Sequence, residues 1–200
     1  MCELYLSTPL LDQVAGFMPV LKRALEQCQP AALLLRLAPM GDEKAQEQLA
    51  VIQSFVQEKQ IALLLENKPE LACQTGCDGV HLSLEYVARS VQDVRRLLGE
   101  DRQLGVAAGL SRDKAMCAGE DGADYVSFES PRDYKRDYKK DPKQEEEHTN
   151  QVVSLVQWWS EMMELPVVAC AHTPHQRAVL AKSGADFFMP DEQWWEALYR

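Results

Sequence analysis

Apolar positions along this chain follow two rhythms that take turns. Short runs such as AALLLRL (31–37) and IALLL (61–65) are apolar at nearly every position, as strands buried on both faces require. Between them lie longer segments whose apolar residues recur every three or four positions, the period of a helix with one buried face. The first rhythm predicts strands over Leu4–Ser7, Ala31–Leu37, Ile61–Leu65, Gly79–Leu82, Leu104–Ala108, Tyr125–Phe128, Val167–Cys170 and Asp186–Met189. The second predicts helices from Asp12 to Gln27, Asp42 to Lys59, Pro69 to Gly76, Glu85 to Leu98, Ser111 to Glu120, Thr149 to Met163 and Pro174 to Lys182. Ser111 and Asp191 are the residue types that cap a helix start, and Asp191 would open a last helix at the end of the chain.

Strict alternation of strand and helix implies a parallel sheet. Eight strands suit closure, since an open doubly wound sheet needs only about five. The expected fold class is therefore α/β, one (β/α)8 TIM barrel spanning residues 1–200 as a single domain. A short repeat supports it. Gly76-Cys77-Asp78, Gly122-Ala123-Asp124 and Gly184-Ala185-Asp186 each end a predicted helix and lead directly into a strand. Such turns lie at the N-terminal ends of barrel strands, the face that serves stability, whereas chemistry sits at the C-terminal ends.

Composition narrows the function classes. Two hundred residues, 46% of them hydrophobic, suffice for one core. No run approaches the roughly 20 apolar residues that span a bilayer. The opening MCELYLSTP has neither the basic start nor the apolar block of a secretory signal, so a cytoplasmic protein is expected. A formal charge of −10 argues against a nucleic-acid partner, which would need a basic surface. It also makes a phosphorylated ligand harder to attract without a metal or a local basic patch. The six cysteines form no CxxC pair and no zinc pattern, and are expected to be free, mostly buried thiols. P-loop, GxGxxG and Ser-His-Asp signatures are missing as well.

Five segments in order resemble thiamine phosphate synthase and its tautomerase relative TenI. They are LYLSTP (4–9), GCDGVHLSLE (76–85), GADYVSFES (122–130), LPVVACAHTP (165–174) and SGADFF (183–188). The resemblance implies a barrel whose C-terminal mouth joins a pyrimidine diphosphate to a thiazole phosphate with magnesium assistance. It also implies a motif at each strand end, and this chain departs from most of them.

Of the Gln-x-Arg-x-Lys pattern after the second strand only Arg36 remains, between Leu34 and Ala38. Arg36 either points into the mouth or pairs with a neighbouring acid. The metal-binding Asp after strand three is replaced by Asn67, with Glu66 before it and Lys68 after it. The second metal-binding acid is replaced by Tyr86, with Glu85 one place out of step. His81 keeps the family position and reads as a structural histidine within its strand. Strand six ends in Ser127, Phe128, Glu129 and Ser130 instead of Gly-x-Gly-Pro, and the TenI histidine would fall near Ser130. Strand seven ends in Ala171-His172 in place of Gly-Gly. Ala171, His172, Pro190, Asp191 and Glu192 together predict a phosphate pocket closed by side chains, a missing amide and like charge.

Glu129 and His172 are thus the acid–base candidates, and Arg36, Asn67, Lys68, Ser127 and Thr173 the ligand-binding ones. No metal ligand and no cofactor is expected. The leading reading is a barrel of this family without synthase activity that binds or acts on an unidentified small molecule. The rival is a working transferase, thiamine phosphate synthase, with magnesium held by Glu66 or Glu85. The charged segment Pro131–His148, rich in Lys and Arg before a Glu run, reads as a solvated loop or a phosphate-seeking lid. Paired tryptophans, Trp158-Trp159 and Trp194-Trp195, would mark a homo-oligomer contact, since helical neighbours cannot both face one core.

Overall fold

The computed structural model describes residues 2–129, 142–171, 174–190 and 194–195. Within them the order is β1 (Glu3–Ser7), α1 (Val14–Gln27), β2 (Ala32–Leu35), α2 (Asp42–Glu58), β3 (Ala62–Glu66), α3 (Pro69–Thr75), β4 (Gly79–Leu82) and α4 (Val91–Leu98). It continues with β5 (Gln103–Gly109), α5 (Arg112–Glu120), β6 (Tyr125–Phe128), α6 (Pro142–Met162), β7 (Val167–Ala171), α7 (Pro174–Lys182) and β8 (Phe187–Pro190). The eight strands pair in sequence order, all parallel, and β8 returns to β1 to close the barrel.

Neighbouring residues in a parallel ladder share a face, so the register decides which side chains point inward. Tyr5 lies beside Ala32 and Ala32 beside Ala62. Glu66 lies beside His81, His81 beside Gly105, and Gly105 beside Tyr125. Tyr5, Leu34, Leu64, Tyr125, Val168 and Met189 pack together inside the barrel. The alternate residues, such as Leu6, Leu33, Leu63 and Val126, are fully buried against the helices outside. Burial of each such aliphatic side chain contributes about 1.5–3 kcal/mol.

The repeated Gly-x-Asp turns have a common architecture. Gly76, Gly122 and Gly184 take positive φ values of 70°, 97° and 96°, which ends each helix at the lowest steric cost. The aspartate that follows ties the new strand to the one before it. The amide of Asp78 donates to Leu63 O at 3.0 Å, while its carboxylate accepts from Leu63 N at 2.7 Å. Asp124 does the same with Leu104 (2.8 and 2.6 Å), and Asp186 with Val167 (3.2 and 2.8 Å). The repeat thus pins β4, β6 and β8 to their predecessors at the N-terminal end of the barrel.

Several elements differ from the sequence reading. β2 ends at Leu35 and Leu37 makes only an isolated bridge to Leu11. α4 starts at Val91 instead of Glu85, because Ser90 caps it: its hydroxyl accepts from Asp93 N at 3.1 Å and donates to the Asp93 carboxylate at 2.8 Å. α6 starts at Pro142, so the Glu-rich end of the charged segment is helical, and residues 130–141 lie outside the described residues. Seven helices are described, and Trp194 and Trp195 are helical after β8.

The tryptophans and cysteines also depart from expectation. Trp159 and Trp195 are buried, and Trp158 and Trp194 are half-buried rather than exposed. The Arg112 guanidinium covers Trp158 at 4.7 Å, and Trp194 packs edge-on against Trp195. All six cysteines are free, yet only Cys77 is buried; Cys117 is exposed and the rest are intermediate.

Candidate functional site at the barrel mouth

Inward-facing residues at the last positions of the strands change from apolar to polar, and this builds the site. One position beyond the Leu35–Leu65 pair, Arg36 comes alongside Glu66. The Arg36 Nε lies 3.4 Å from the Glu66 carboxylate, both side chains being about nine-tenths buried. Arg36 also donates from Nη1 to Thr8 O at 3.3 Å, and its amide donates to Thr8 Oγ1 at 3.0 Å. Both possibilities the sequence left open for Arg36 therefore hold together: it is at the mouth and paired with an acid. Thr8 is fully buried and braces it. Its only sequence signal is its place in the LYLSTP segment.

Asn67 follows Glu66 in a left-handed conformation, φ 57°. This orientation turns its side chain toward the neighbouring strand end. Asn67 Oδ1 accepts from Ser83 N at 2.8 Å, Asn67 Nδ2 donates to Ser83 Oγ at 2.9 Å, and Asn67 N donates to His81 O at 3.0 Å. Asn67 is a clamp between the ends of β3 and β4. Lys68 is half-buried at the start of α3. Glu85 is exposed, with its amide donating to Ser83 Oγ at 3.3 Å, and Tyr86 packs against the core.

Below the mouth runs a polar chain through the barrel interior. Tyr5 and Tyr125 share a hydrogen bond at 2.7 Å, Tyr125 Oη meets His81 Nδ1 at 3.1 Å, and His81 Nε2 lies a looser 3.5 Å from Ser127 Oγ. The imidazole stacks on the Tyr125 ring at 5.6 Å. Gly105 makes room for this: a Cβ there would stand 2.0 Å from the Tyr125 ring. Burial pushes the phenols of both Tyr5 and Tyr125 well above the ordinary range. The carboxylates of Glu129 and Glu66 add to the shift of Tyr5, and Glu129 to that of Tyr125. Both rings stay neutral and hydrogen-bonded. Ser127 belongs to this interior chain and is fully buried, so the structure takes it below the mouth.

Glu129 follows β6, its carboxylate accepting from Cys170 Sγ at 3.6 Å across to β7. The structure thus brings Arg36, Asn67, Lys68 and Glu129 to one end of the barrel and places Ser127 beneath them. His172 and Thr173 lie outside the described residues, as do Ser130, Asp191 and Glu192. Ala171 and Pro190 stand side by side at the ends of β7 and β8. Chemically, the described part of the mouth is built from polar groups paired with one another, Arg36 with Glu66, Asn67 with Ser83 and Glu129 with Cys170. Among the described residues no three His, Cys, Asp or Glu side chains gather as metal ligands would.

Known proteins place this barrel. The family model described as thiamine monophosphate synthase matches residues 4–189. A thiamine-phosphate synthase of Rhodospirillum centenum is 38% identical over 187 residues, 93% of this chain and 86% of that protein. One of Hyphomonas neptunium is 35% identical, covering 96% of this chain and 86% of that protein. Among solved structures, thiamine phosphate pyrophosphorylase from Pyrococcus furiosus superposes with a TM-score of 0.71 over 98% of this chain and 91% of its own. At 19% identity that likeness speaks to fold alone. The fold is shared more widely, since 3-dehydroquinate dehydratase from Geobacillus kaustophilus reaches a TM-score of 0.66. With a family model spanning nearly the whole length and relatives of this identity, the chain belongs to the thiamine monophosphate synthase family.

Proposed function

We propose that this barrel binds a small molecule at its C-terminal mouth and does not catalyse magnesium-assisted formation of thiamine phosphate. The observation that carries the reading is the Asn67 clamp. At the position where the resembling family holds its metal with an aspartate, the only side-chain oxygen is neutral and already accepts from Ser83 N at 2.8 Å. Magnesium prefers anionic oxygens in near-octahedral geometry and gives up its own water reluctantly. The second metal position offers the Tyr86 phenol, packed against the core. These residues do not fit the ion. Arg36, the surviving residue of the diphosphate pattern, has its charge balanced by Glu66. A diphosphate would have to compete with that carboxylate for the guanidinium.

The second reading is an active synthase, and it rests on the relatives named thiamine-phosphate synthase at 35–38% identity over more than nine-tenths of this chain. In that reading Glu66, inward-facing at the end of β3, replaces the lost aspartate. One assay separates the two. The full chain is incubated with the pyrimidine diphosphate, the thiazole phosphate and Mg²⁺, and thiamine phosphate is measured. No product above the enzyme-free control is expected. Turnover at about 1 s⁻¹ or faster, within the ordinary range of enzymes, and its loss in Glu66→Gln, would establish the synthase instead.

A further inference from the structure

The outer face of β4 and β5 is incompletely covered by helices. Leu82 and Val106 pair across these strands, alternate with inward-facing His81 and Gly105, and so face the helix layer. α4 starts only at Val91, leaving residues 83–90 as turns over that face. α5 meets it with Ala115 and Ala118, which are too small to fill the gap. What remains is a cavity of about 220 Å³. Leu82 and Ala118 form its buried floor with Val106, Tyr86 is one wall, and Lys114 and Cys117 stand at its exposed lip.

We propose that this cavity binds a small monoanion built on a single ring, an aromatic carboxylate being the class that fits. Size sets the ring. A cavity of roughly 150 Å³ holds benzene and drug-sized sites start near 300 Å³, so 220 Å³ suits one ring with a short substituent. Polarity sets the anion. Of the charged groups lining the cavity, Arg89 is paired with Glu70 at 2.7 Å and Asp121 accepts from Gln92 at 2.7 Å. The Lys114 ammonium has no side-chain partner among the described residues. Lys114 and Cys117 are three residues apart on α5 and therefore share a face. A ring on the Leu82–Val106 floor would put its carboxylate within reach of Lys114 and its edge under the Cys117 thiol. The site lies outside the barrel wall and shares only Ser83 and Tyr86 with the residues described at the mouth. It does not depend on whether the mouth is catalytic.

Benzoate is the probe, and the exposed thiol is the reporter. Millimolar benzoate should slow alkylation of Cys117 by iodoacetamide in the full chain, read by peptide mass mapping, while alkylation of Cys28 and Cys73 is unchanged. Benzyl alcohol, which keeps the ring but lacks the charge, should protect less. Lys114→Gln should weaken protection about twofold to fivefold, the range of an exposed ion pair. Cys117→Phe closes the lip, and saturation-transfer NMR on that variant should show loss of benzoate binding. The proposal is overturned if benzoate leaves the Cys117 rate unchanged. It is equally overturned if benzyl alcohol protects as well and Lys114→Gln changes nothing, or if Cys117→Phe binds benzoate as the parent does.

Discussion

Asn67 combines a costly backbone conformation with two side-chain bonds that depend on it. Left-handed φ is several-fold more accessible to asparagine than to most residues. Once there, the side chain reaches Ser83 N and Ser83 Oγ at 2.8 and 2.9 Å, and Ser83 is itself buried. Asn67→Ala should therefore cost about 3 kcal/mol, the sum of a buried amide left without acceptor and a less tolerated left-handed residue. Asn67→Asp keeps the acceptor for Ser83 N and lets the Ser83 hydroxyl turn to donate, so it should stay within about 1 kcal/mol of the parent. Urea midpoints of the two variants decide this; an alanine variant as stable as the parent means that the clamp is incidental. The sequence put Asn67, Arg36 and Glu129 at the mouth because each ends a predicted strand or opens the loop after it. It did not show what they touch. Arg36 finds Glu66 only because Leu34 lies beside Leu64, a register that no local pattern encodes. Ser127 was legible as a strand-six residue, but its turn toward His81 comes from the alternation of a strand whose neighbours were unknown.

At the scale of elements, the helix–strand turns were the most legible feature and α4 among the least. Val87, Val91 and Val94 sit at helical spacing, which is why a helix from Glu85 was expected. Val87 is 91% exposed, however, because the chain is not helical there. The Ser90-x-x-Asp93 cap was the better signal, since it satisfies the first amides of α4 directly. The Gly-x-Asp repeat identified three turns, and the hydrogen bonds explain why aspartate recurs in them. The three are not equal. Asp124 also receives the Arg95 guanidinium, whose remaining donors hold Gly99 O, Arg102 O and Gly122 O. Asp78→Ala removes the acceptor of one strand amide, at about 1–3 kcal/mol. Asp124→Ala does the same and in addition leaves a half-buried guanidinium without its carboxylate, so its denaturant midpoint should fall clearly further. Asparagine at either position keeps an oxygen for the strand amide and should fall between parent and alanine. Equal losses at the two positions would show that Arg95 is not part of the turn.

For the whole molecule the critical contact is the seam where the last strand meets the first. Eightfold alternation implied closure, and the register shows how little of the ladder achieves it: β1 and β8 share two residue pairs, against four between β2 and β3. Trp195 strengthens that seam from outside. It is 1% exposed, its indole donates to Ser7 O at 2.7 Å, and its ring meets Phe17 of α1 edge-on at 4.8 Å. The tryptophan pairs had suggested an oligomer contact because helical neighbours point about 100° apart. The geometric premise holds: one ring of each pair is buried and the second is half-buried, Trp194 against Trp195 and Trp158 under Arg112. Trp195→Ala removes a buried aromatic and should destabilise the barrel by about 3–5 kcal/mol. Trp195→Phe keeps an aromatic ring against Phe17 but gives up the bond to Ser7 O and part of the buried ring, so it should cost about 1–3 kcal/mol, less than alanine. The distribution of the loss is the sharper test. If Trp195 acts on closure, hydrogen exchange in the alanine variant should rise first at the amides shared by β1 and β8, such as Glu3 N donating to Asp186 O. Exchange at the β4–β5 ladder on the opposite wall should follow only at the global unfolding limit. A rise spread evenly over all eight strands would mean that Trp195 supports the core as a whole and that the two-pair seam closes without it.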